Sequence, residues 1–174
     1  GKTVAIGAIE NDRDTGNDDD NGGRVIVYKF NDDDEQWEPM GQEINGEALS
    51  DYSGWSVSLS GDGSIVAIGV PYNADNGQNH GQVRIFENNN GLWVQKGGDI
   101  NGGGNPAQNL LYHKLGYSVS LNNDGNTVAI GAPGGGYVEI YNWDGSSWNQ
   151  IGSSIIYTGS WDREFGHSVS ISLS

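Results

Sequence analysis

The sequence predicts an all-β fold made of β-propeller-type blades, in which three four-stranded antiparallel meanders follow one another. The segment TVAIGA at residues 3–8 returns as IVAIGV at 65–70 and as TVAIGA at 127–132, each copy starting 62 residues after the last. A repeat of this length indicates that one structural unit is stacked several times. Glycine supplies 29 of the 174 residues, as expected for short strands joined by tight turns.

Strand one of the unit is predicted from the segments WSVSLS at 55–60, YSVSLN at 117–122 and HSVSIS at 167–172. Apolar and small polar residues alternate in each copy, which is the period of a strand with one buried face. Serines occupy the other face, and their small size would let a neighbouring element approach closely.

A tight hairpin is predicted between strand one and strand two. The turns GDG at 61–63 and NDG at 123–125 place an Asp-Gly pair between apolar runs. This pair is a strong hairpin signal because glycine accepts a positive φ. Strand two is then the repeated VAIG segment.

Strands three and four complete the unit. The segments RVIVYKF at 24–30, GQVRIFE at 81–87 and YVEIYNW at 137–143 predict the third strand. The fourth carries a tryptophan in every copy, at Trp37, Trp93 and Trp148. A tryptophan repeated in register is most simply a core residue that fastens one unit to the next.

The order of the strands divides the chain into repeats at residues 1–62, 63–124 and 125–174. The first begins at strand two and the last ends in a lone strand one, and residue 1 is Gly rather than Met, so we expect a processed or excised piece. Closed propellers typically have about four to eight blades, so three should not close. We therefore expect the last strand to complete a neighbouring blade, in the same polypeptide or in another subunit. This assembly contact would involve Thr3, Val4, Ile6, Val169 and Ile171.

The composition limits the possible partners. The formal net charge is -15, from 23 acidic and 8 basic residues, which argues against nucleic acids and anionic membranes. The charge suits a divalent cation, a cationic partner or a salty medium, although the preference of Asp for turns accounts for part of it. The sequence has no run of 18 apolar residues, so membrane insertion is not expected.

Short motifs beside the predicted strands resemble the FG-GAP repeat of the integrin α-subunit propeller and of many secreted propellers. Phe165-Gly166 and Leu115-Gly116 stand just before strand one, with the weaker Ser53-Gly54, and residues 131–133 read GAP after strand two. The resemblance covers essentially the whole chain. It implies a seven-bladed, secreted or cell-surface propeller that serves adhesion or display and is not an enzyme. Such repeats often carry calcium between strands one and two, but here that turn is too short.

An acidic loop at residues 10–23, ENDRDTGNDDDNGG, is a candidate calcium site. Ca²⁺ takes six to eight oxygen ligands, and closely spaced aspartates can supply them. The candidate ligands are Asp12, Asp14, Asp18 and Asp20, with Asn73 and Asp75 as a weaker set in the matching loop. The alternative is a solvated acidic loop. The third copy has three glycines there, so the fold does not require metal.

Trp143 and Trp161 lie outside the register of the fourth-strand tryptophans. If exposed, they could stack on sugars, as in lectin-type propellers; filling the gap between blades is the alternative. His167 falls in the register of Trp55 and Tyr117 and is read as a packing residue. His80 and His113 have no partner at catalytic spacing in the sequence, and the chain has no Ser-His-Asp or phosphate-loop motif, which argues against an enzyme.

Two functions follow as expectations. The first is an extracellular structural or adhesive repeat protein, either part of a larger propeller or the building block of a head-to-tail filament. Its partners would be further copies of itself or further repeats of the same polypeptide. The second is a carbohydrate-binding module that uses the variable loops, with glycans or a cell-surface protein as partner.

Overall fold

A computed structural model describes residues 2–10, 21–75, 77–103, 112–158 and 164–172. Within these ranges the chain forms β-strands and no helix, which confirms the all-β prediction. The strands are β1 (Thr3–Ala8), β2 (Arg24–Asn31), β3 (Gln36–Pro39), β4 (Ile44–Asn45), β5 (Ser56–Leu59), β6 (Ile65–Val70), β7 (Gln82–Asn89), β8 (Leu92–Gln95), β9 (Ile100–Asn101), β10 (Ser118–Leu121), β11 (Thr127–Ala132), β12 (Tyr137–Trp143), β13 (Trp148–Gln150) and β14 (Ile155–Ile156).

The strands form three antiparallel sheets, one for each blade. The first has the order β1-β2-β3, the second β5-β6-β7-β8 and the third β10-β11-β12-β13. The short strands β4, β9 and β14 add to β2, β7 and β12 respectively. These sheets confirm the predicted meanders, and in the first blade the described residues include strands two to four.

The predicted fourth strand is broken into two pieces in every blade. Gly41, Gly97 and Gly152 lie between the pieces, with φ values of 94°, 81° and 68°. Glycine reaches this left-handed region without the steric cost that a side chain would bring. The break explains why both pieces pair with the same third strand.

The hairpin between strands one and two forms as predicted, with Leu59 opposite Val66. The Asp62 carboxylate accepts hydrogen bonds from the Ser64 amide at 2.9 Å and from the Ser60 hydroxyl at 2.8 Å. These bonds, the Ser64 amide first, hold the pKa of Asp62 below its usual range. The turn therefore uses its aspartate to stabilise its own backbone.

The last segment, residues 164–172, differs from the prediction because residues 167–172 form no strand. A strand needs a hydrogen-bonded neighbour, and within the described residues no strand two lies beside them. Their position is nevertheless fixed by β10: the Ser118 hydroxyl donates to the Gly166 carbonyl at 2.8 Å, and the Ile171 amide donates to the Ser120 hydroxyl at 3.1 Å.

The hydrophobic core lies between the sheets. One cluster joins Val25, Val27 and Ile44 of the first blade to residues of the second blade that include Ile68 and Trp93. A second cluster joins the opposite face of the second blade to the third. The blades are thus held together face to face.

Candidate functional site at the uncovered blade faces

The innermost strands of adjacent blades are joined through the serines of strand one. The Ser56 hydroxyl donates to the Gly116 carbonyl at 2.8 Å, and the Leu121 amide donates to the Ser58 hydroxyl at 2.9 Å. The bonds from β10 to Gly166 and Ile171 repeat this pattern one unit later. Residues 166–171 therefore lie where strand one of a further blade would lie.

The outer strands are joined by the repeated tryptophan. The indole N–H of Trp93 donates to the Met40 carbonyl at 2.6 Å, and that of Trp148 donates to the Lys96 carbonyl at 2.7 Å. Trp93 is buried at 4% exposure. Both junctions thus contain the same indole-to-carbonyl hydrogen bond at the same repeat position. This agrees with the predicted role of these tryptophans in fastening one unit to the next.

The first blade leaves the matching face uncovered, because no blade precedes it within the described residues. Val4 and Ile6 are 37% and 51% exposed, whereas Val66 and Ile68, their counterparts in the second blade, are buried. Trp37 is 51% exposed, in contrast to Trp93. We call Val4, Ile6 and Trp37 the first-blade face.

Within the described residues, no further blade covers the opposite face of the third blade. Its residues Ala129, Val138, Ile140 and Ile155 occupy the repeat positions of Ala67, Val83, Ile85 and Ile100, which are buried against the third blade. They line a cavity of about 590 Å³ together with the last segment. We call these four residues the third-blade face.

Four of the five predicted assembly residues lie on one of these two faces or beside it. Val169 and Ile171 line the cavity beside the third-blade face. Val4 and Ile6 belong to the first-blade face. Thr3 lies elsewhere, with its side chain against Gly63 of the second blade. The first-blade face and the third-blade face thus correspond to the two sides of the junction between blades. The chain forms this junction twice, between its first and second blades and between its second and third.

The candidate calcium ligands Asp12, Asp14, Asp18 and Asp20 lie outside the described residues, so calcium binding there stays a prediction. Asn73 is buried and donates to Asp75 at 3.2 Å and to Asp51 at 3.3 Å. Burial raises the pKa of the Asp51 carboxyl. Among the residues that the structure describes, no group of three or more His, Cys, Asp or Glu side chains is placed to hold a metal ion.

The family calcium site does not fit the turn between strands one and two. Each turn supplies one aspartate, and the Asp124 carboxylate accepts a hydrogen bond from the Asn126 amide at 2.8 Å. This amide is the main cause that lowers the pKa of Asp124. A single carboxylate already used by its own turn cannot supply the six to eight oxygens that Ca²⁺ needs.

The two tryptophans proposed as sugar platforms have different outcomes. Trp143 is half-buried, and its ring lies 5.5 Å from that of Trp148 and against Gly97 of the second blade. It therefore fills the gap between blades, the alternative that the sequence left open. Trp161 lies outside the described residues, so its role stays a prediction.

The sequence spacing gave no sign that His80 and His113 are in contact, but the fold places their rings together. The rings of His80 and His113 lie 4.8 Å apart, and His113 Nδ1 lies 3.3 Å from the Tyr137 hydroxyl. The His167 ring contacts the Tyr117 ring at a tilted angle, with ring centres 4.6 Å apart, and the His167 side chain is exposed. The shared register of Trp55, Tyr117 and His167 was the available signal for this aromatic contact.

Residues 45–86 match the family model described as FG-GAP repeat. The match covers strand one to strand three of the second blade and confirms the resemblance over that segment. No curated protein sequence matches the chain.

Several solved structures share the fold at low sequence identity. A candidate 6-phosphogluconolactonase from Bacteroides uniformis superposes with a TM-score of 0.55 at 12% identity, over 95% of this chain and 40% of that one. Another from Bacteroides fragilis gives 0.52 at 18% identity, over 78% and 33%. A protein from Lactobacillus plantarum gives 0.54 at 9% identity, over 91% and 38%. The chain thus spans well under half the length of these structures.

The fold and the motifs led to the expectation that this chain is not an enzyme, and that expectation is wrong. Two of the structures that share the fold are named as candidate lactonases. At 12–18% identity the likeness shows the fold alone, but that fold does not exclude catalysis.

In the described part of the chain, no helix has the length and apolar character needed to cross a membrane.

Proposed function

We propose that this protein is an extracellular structural or adhesive repeat protein whose end faces bind further units of the same FG-GAP repeat. In this proposal the first-blade face of one copy seats on the third-blade face of another. The contact would be the one that already joins the second blade to its neighbours. The extracellular location rests on the FG-GAP match and is part of the same proposal.

The observation that carries this proposal is the repetition of the internal junction. The indole N–H groups of Trp93 and Trp148 donate to equivalent carbonyls of the preceding blade, those of Met40 and Lys96. When the first-blade face of one copy binds the third-blade face of another, Trp37 would reach the equivalent carbonyl, that of Ile151. A methyl group on Gly97 would meet the rings of Trp143 and Trp148, whereas one on Gly152 would meet nothing within 4 Å. The third blade thus has open space where a further blade would place its tryptophan.

Apolar burial supplies the driving force for such a contact. Val4, Ile6, Trp37 and Ile155 are all at least 37% exposed, although the residues at the same positions of the second blade are buried. Removing apolar surface from water contributes roughly 25 cal/mol per Å². A heterologous contact of this kind gives a ring if its rotation closes and a filament if it does not.

The experiment is sedimentation of the full chain over a range of concentrations, with Ile6→Asp as the test variant. We expect the wild-type mass to rise with concentration and Ile6→Asp to stay monomeric, because a buried unpaired charge is costly. Leu92→Asp is the matched control, since Leu92 is 55% exposed and belongs to neither face.

Three outcomes decide the proposal. A wild-type chain that stays monomeric at every concentration overturns it, and so does equal loss of association in Ile6→Asp and Leu92→Asp. Loss in Ile6→Asp and in Ile155→Asp, one variant for each face, supports the head-to-tail geometry. Electron micrographs of the wild type then separate rings from filaments.

A further inference from the structure

A row of aromatic side chains runs from blade to blade at the start of the strand-one segments. The rings of Trp55 and Tyr117 lie 5.3 Å apart, and those of Tyr117 and His167 lie 4.6 Å apart. Tyr72 extends the row at 5.3 Å from Trp55. The residue before β5, the residue before β10 and the equivalent residue of the last segment therefore contribute one ring each, and neighbouring rings contact one another.

A cavity of about 380 Å³ opens beside this row. It is lined by three tyrosines and by polar groups of both charges, namely Tyr72, Tyr112, Tyr117, Asn79, Lys114 and Glu164. Ligand-binding pockets usually measure about 300–1,000 Å³ and combine aromatic walls with a few polar groups. The size and the lining both fit a small ligand.

Backbone pairing fixes the side chains on one wall. The Tyr112 amide donates to the Gln78 carbonyl at 3.2 Å, and the Lys114 amide donates to the Asn79 carbonyl at 3.0 Å. Tyr112 and Lys114 have φ values of 74° and 58°, in the left-handed region that bulky residues seldom adopt. Such conformations persist only where the surrounding structure holds them.

The preceding junction uses the same backbone pairing with different side chains. There the Tyr52 amide donates to the Asn21 carbonyl at 3.1 Å, and Tyr52 occupies the position of Lys114. The scaffold is therefore common to the repeats, whereas the lining of the cavity is particular to the second junction. Variable residues on a constant scaffold are typical of binding sites.

The charges select among possible ligands. Lys114 Nζ lies 5.0 Å from the centre of the Tyr72 ring, where a cationic ligand would otherwise sit. Glu164 also lines the cavity, with its carboxylate 3.8 Å from His167 Nε2. The net charge of -15 repels anions. A neutral ligand with an apolar face and several hydroxyls satisfies all these groups.

We propose that this cavity binds a neutral saccharide, stacked on Tyr112 and Tyr117 and hydrogen-bonded by Asn79, Lys114 and Glu164. Tyrosine offers an apolar face together with a polar hydroxyl, which suits the alternating surfaces of a sugar ring. The proposal does not depend on the association of blade faces, because every lining residue belongs to one chain.

The test is NMR titration of the ¹⁵N-labelled full chain with the methyl glycosides of glucose, galactose and mannose. We expect saturable shifts of amides in residues 112–117 with at least one glycoside. Tyr112→Ala should weaken binding about tenfold, the equivalent of a lost ring contact, whereas Tyr112→Phe should keep it. Tyr157→Ala is a control of equal exposure, because Tyr157 is 42% and Tyr112 41% exposed and Tyr157 does not line the cavity.

Several results would overturn the assignment. These are the absence of saturable shifts with all three glycosides, shifts confined to residues away from the cavity, and unchanged affinity in Tyr112→Ala. Saturable binding of tetramethylammonium in place of every glycoside would show a cation site instead. Glu164→Gln gives a second reading, since it should weaken sugar binding without removing an aromatic ring.

Discussion

Glycines mark the closest approach between neighbouring blades. A methyl group on Gly69 would overlap the carbonyl oxygen of Gly116, and one on Gly131 would overlap that of Gly166. One glycine of each pair ends the VAIG segment, and the other precedes the next strand one. The two most recurrent short motifs of this chain are therefore the two sides of one contact. Gly69 and Gly131 are required because that carbonyl lies directly against them, whereas Gly116 and Gly166 have φ values of 87° and 88°, which favour glycine.

Replacing Gly69 with alanine should destabilise the fold by about 1–3 kcal/mol, the usual cost of adding a methyl group to a packed interior. The obstructing atom is backbone, so a side-chain rotation cannot relieve it. Urea unfolding measures the effect. Gly98→Ala is the matched control, because a methyl group there meets nothing within 4 Å. Equal stabilities for the two variants would show that the close approach does not limit packing.

The outer strand provides a comparison of one residue type in two environments. Trp93 is 4% exposed and bonded to the preceding blade, whereas Trp37 holds the same repeat position at 51% exposure. Trp37 contacts the ring of Phe30 within its own blade, at 5.3 Å between centres. The contribution of this residue to stability therefore depends on the neighbouring blade rather than on the strand that carries it.

Trp93→Ala should lower the free energy of unfolding by about 3–5 kcal/mol, as other buried tryptophans do when truncated. Trp37→Ala should cost below about 1 kcal/mol, because half of its surface is already in water. Both values come from denaturant unfolding of the full chain at a concentration where it is monomeric. A large loss for Trp37→Ala in the monomer would mean that its strand is stabilised within its own blade.

The strands themselves could be predicted because their signals are local. Alternation of apolar and small residues identified β5 and β10, and the Asp-Gly pairs at 62–63 and 124–125 identified their turns. The missing pairing of residues 167–172 was not predictable from the same alternation, since a strand also needs a neighbour. The glycines at 41, 97 and 152 were visible as a repeated feature, but the sequence did not show that they interrupt the strand.

The candidate sites were less predictable because several loops build them. Tyr72, Tyr112 and Glu164 are far apart in sequence, and only the packing of two blades and the last segment brings them to one cavity. Trp143 packs between blades, which was one of the two alternatives that the sequence left open. A register-based search for aromatic residues at the start of strand one would have located Trp55 and Tyr117, but not the loops opposite them.

At the level of the whole molecule, two apolar faces lie on a strongly acidic chain. Two copies, each with a net charge of -15, repel one another, whereas burial of the first-blade face against the third-blade face favours contact. The range of the repulsion is set by salt, since the Debye length falls from about 30 Å at 0.01 M to about 8 Å at physiological ionic strength. The attraction acts only at contact. Salt therefore changes the charge repulsion but not the apolar attraction.

Association should accordingly strengthen as salt rises from about 0.01 M to about 0.15 M and then level off, because further screening removes little of the remaining repulsion. Light scattering at fixed protein concentration measures the mass at each step. Ile6→Asp should remain monomeric throughout, since screening does not restore the apolar contact that the variant lacks. If added salt instead dissociates the wild type, charge pairing rather than apolar burial joins the copies. The blade junction would then be the wrong template for their contact.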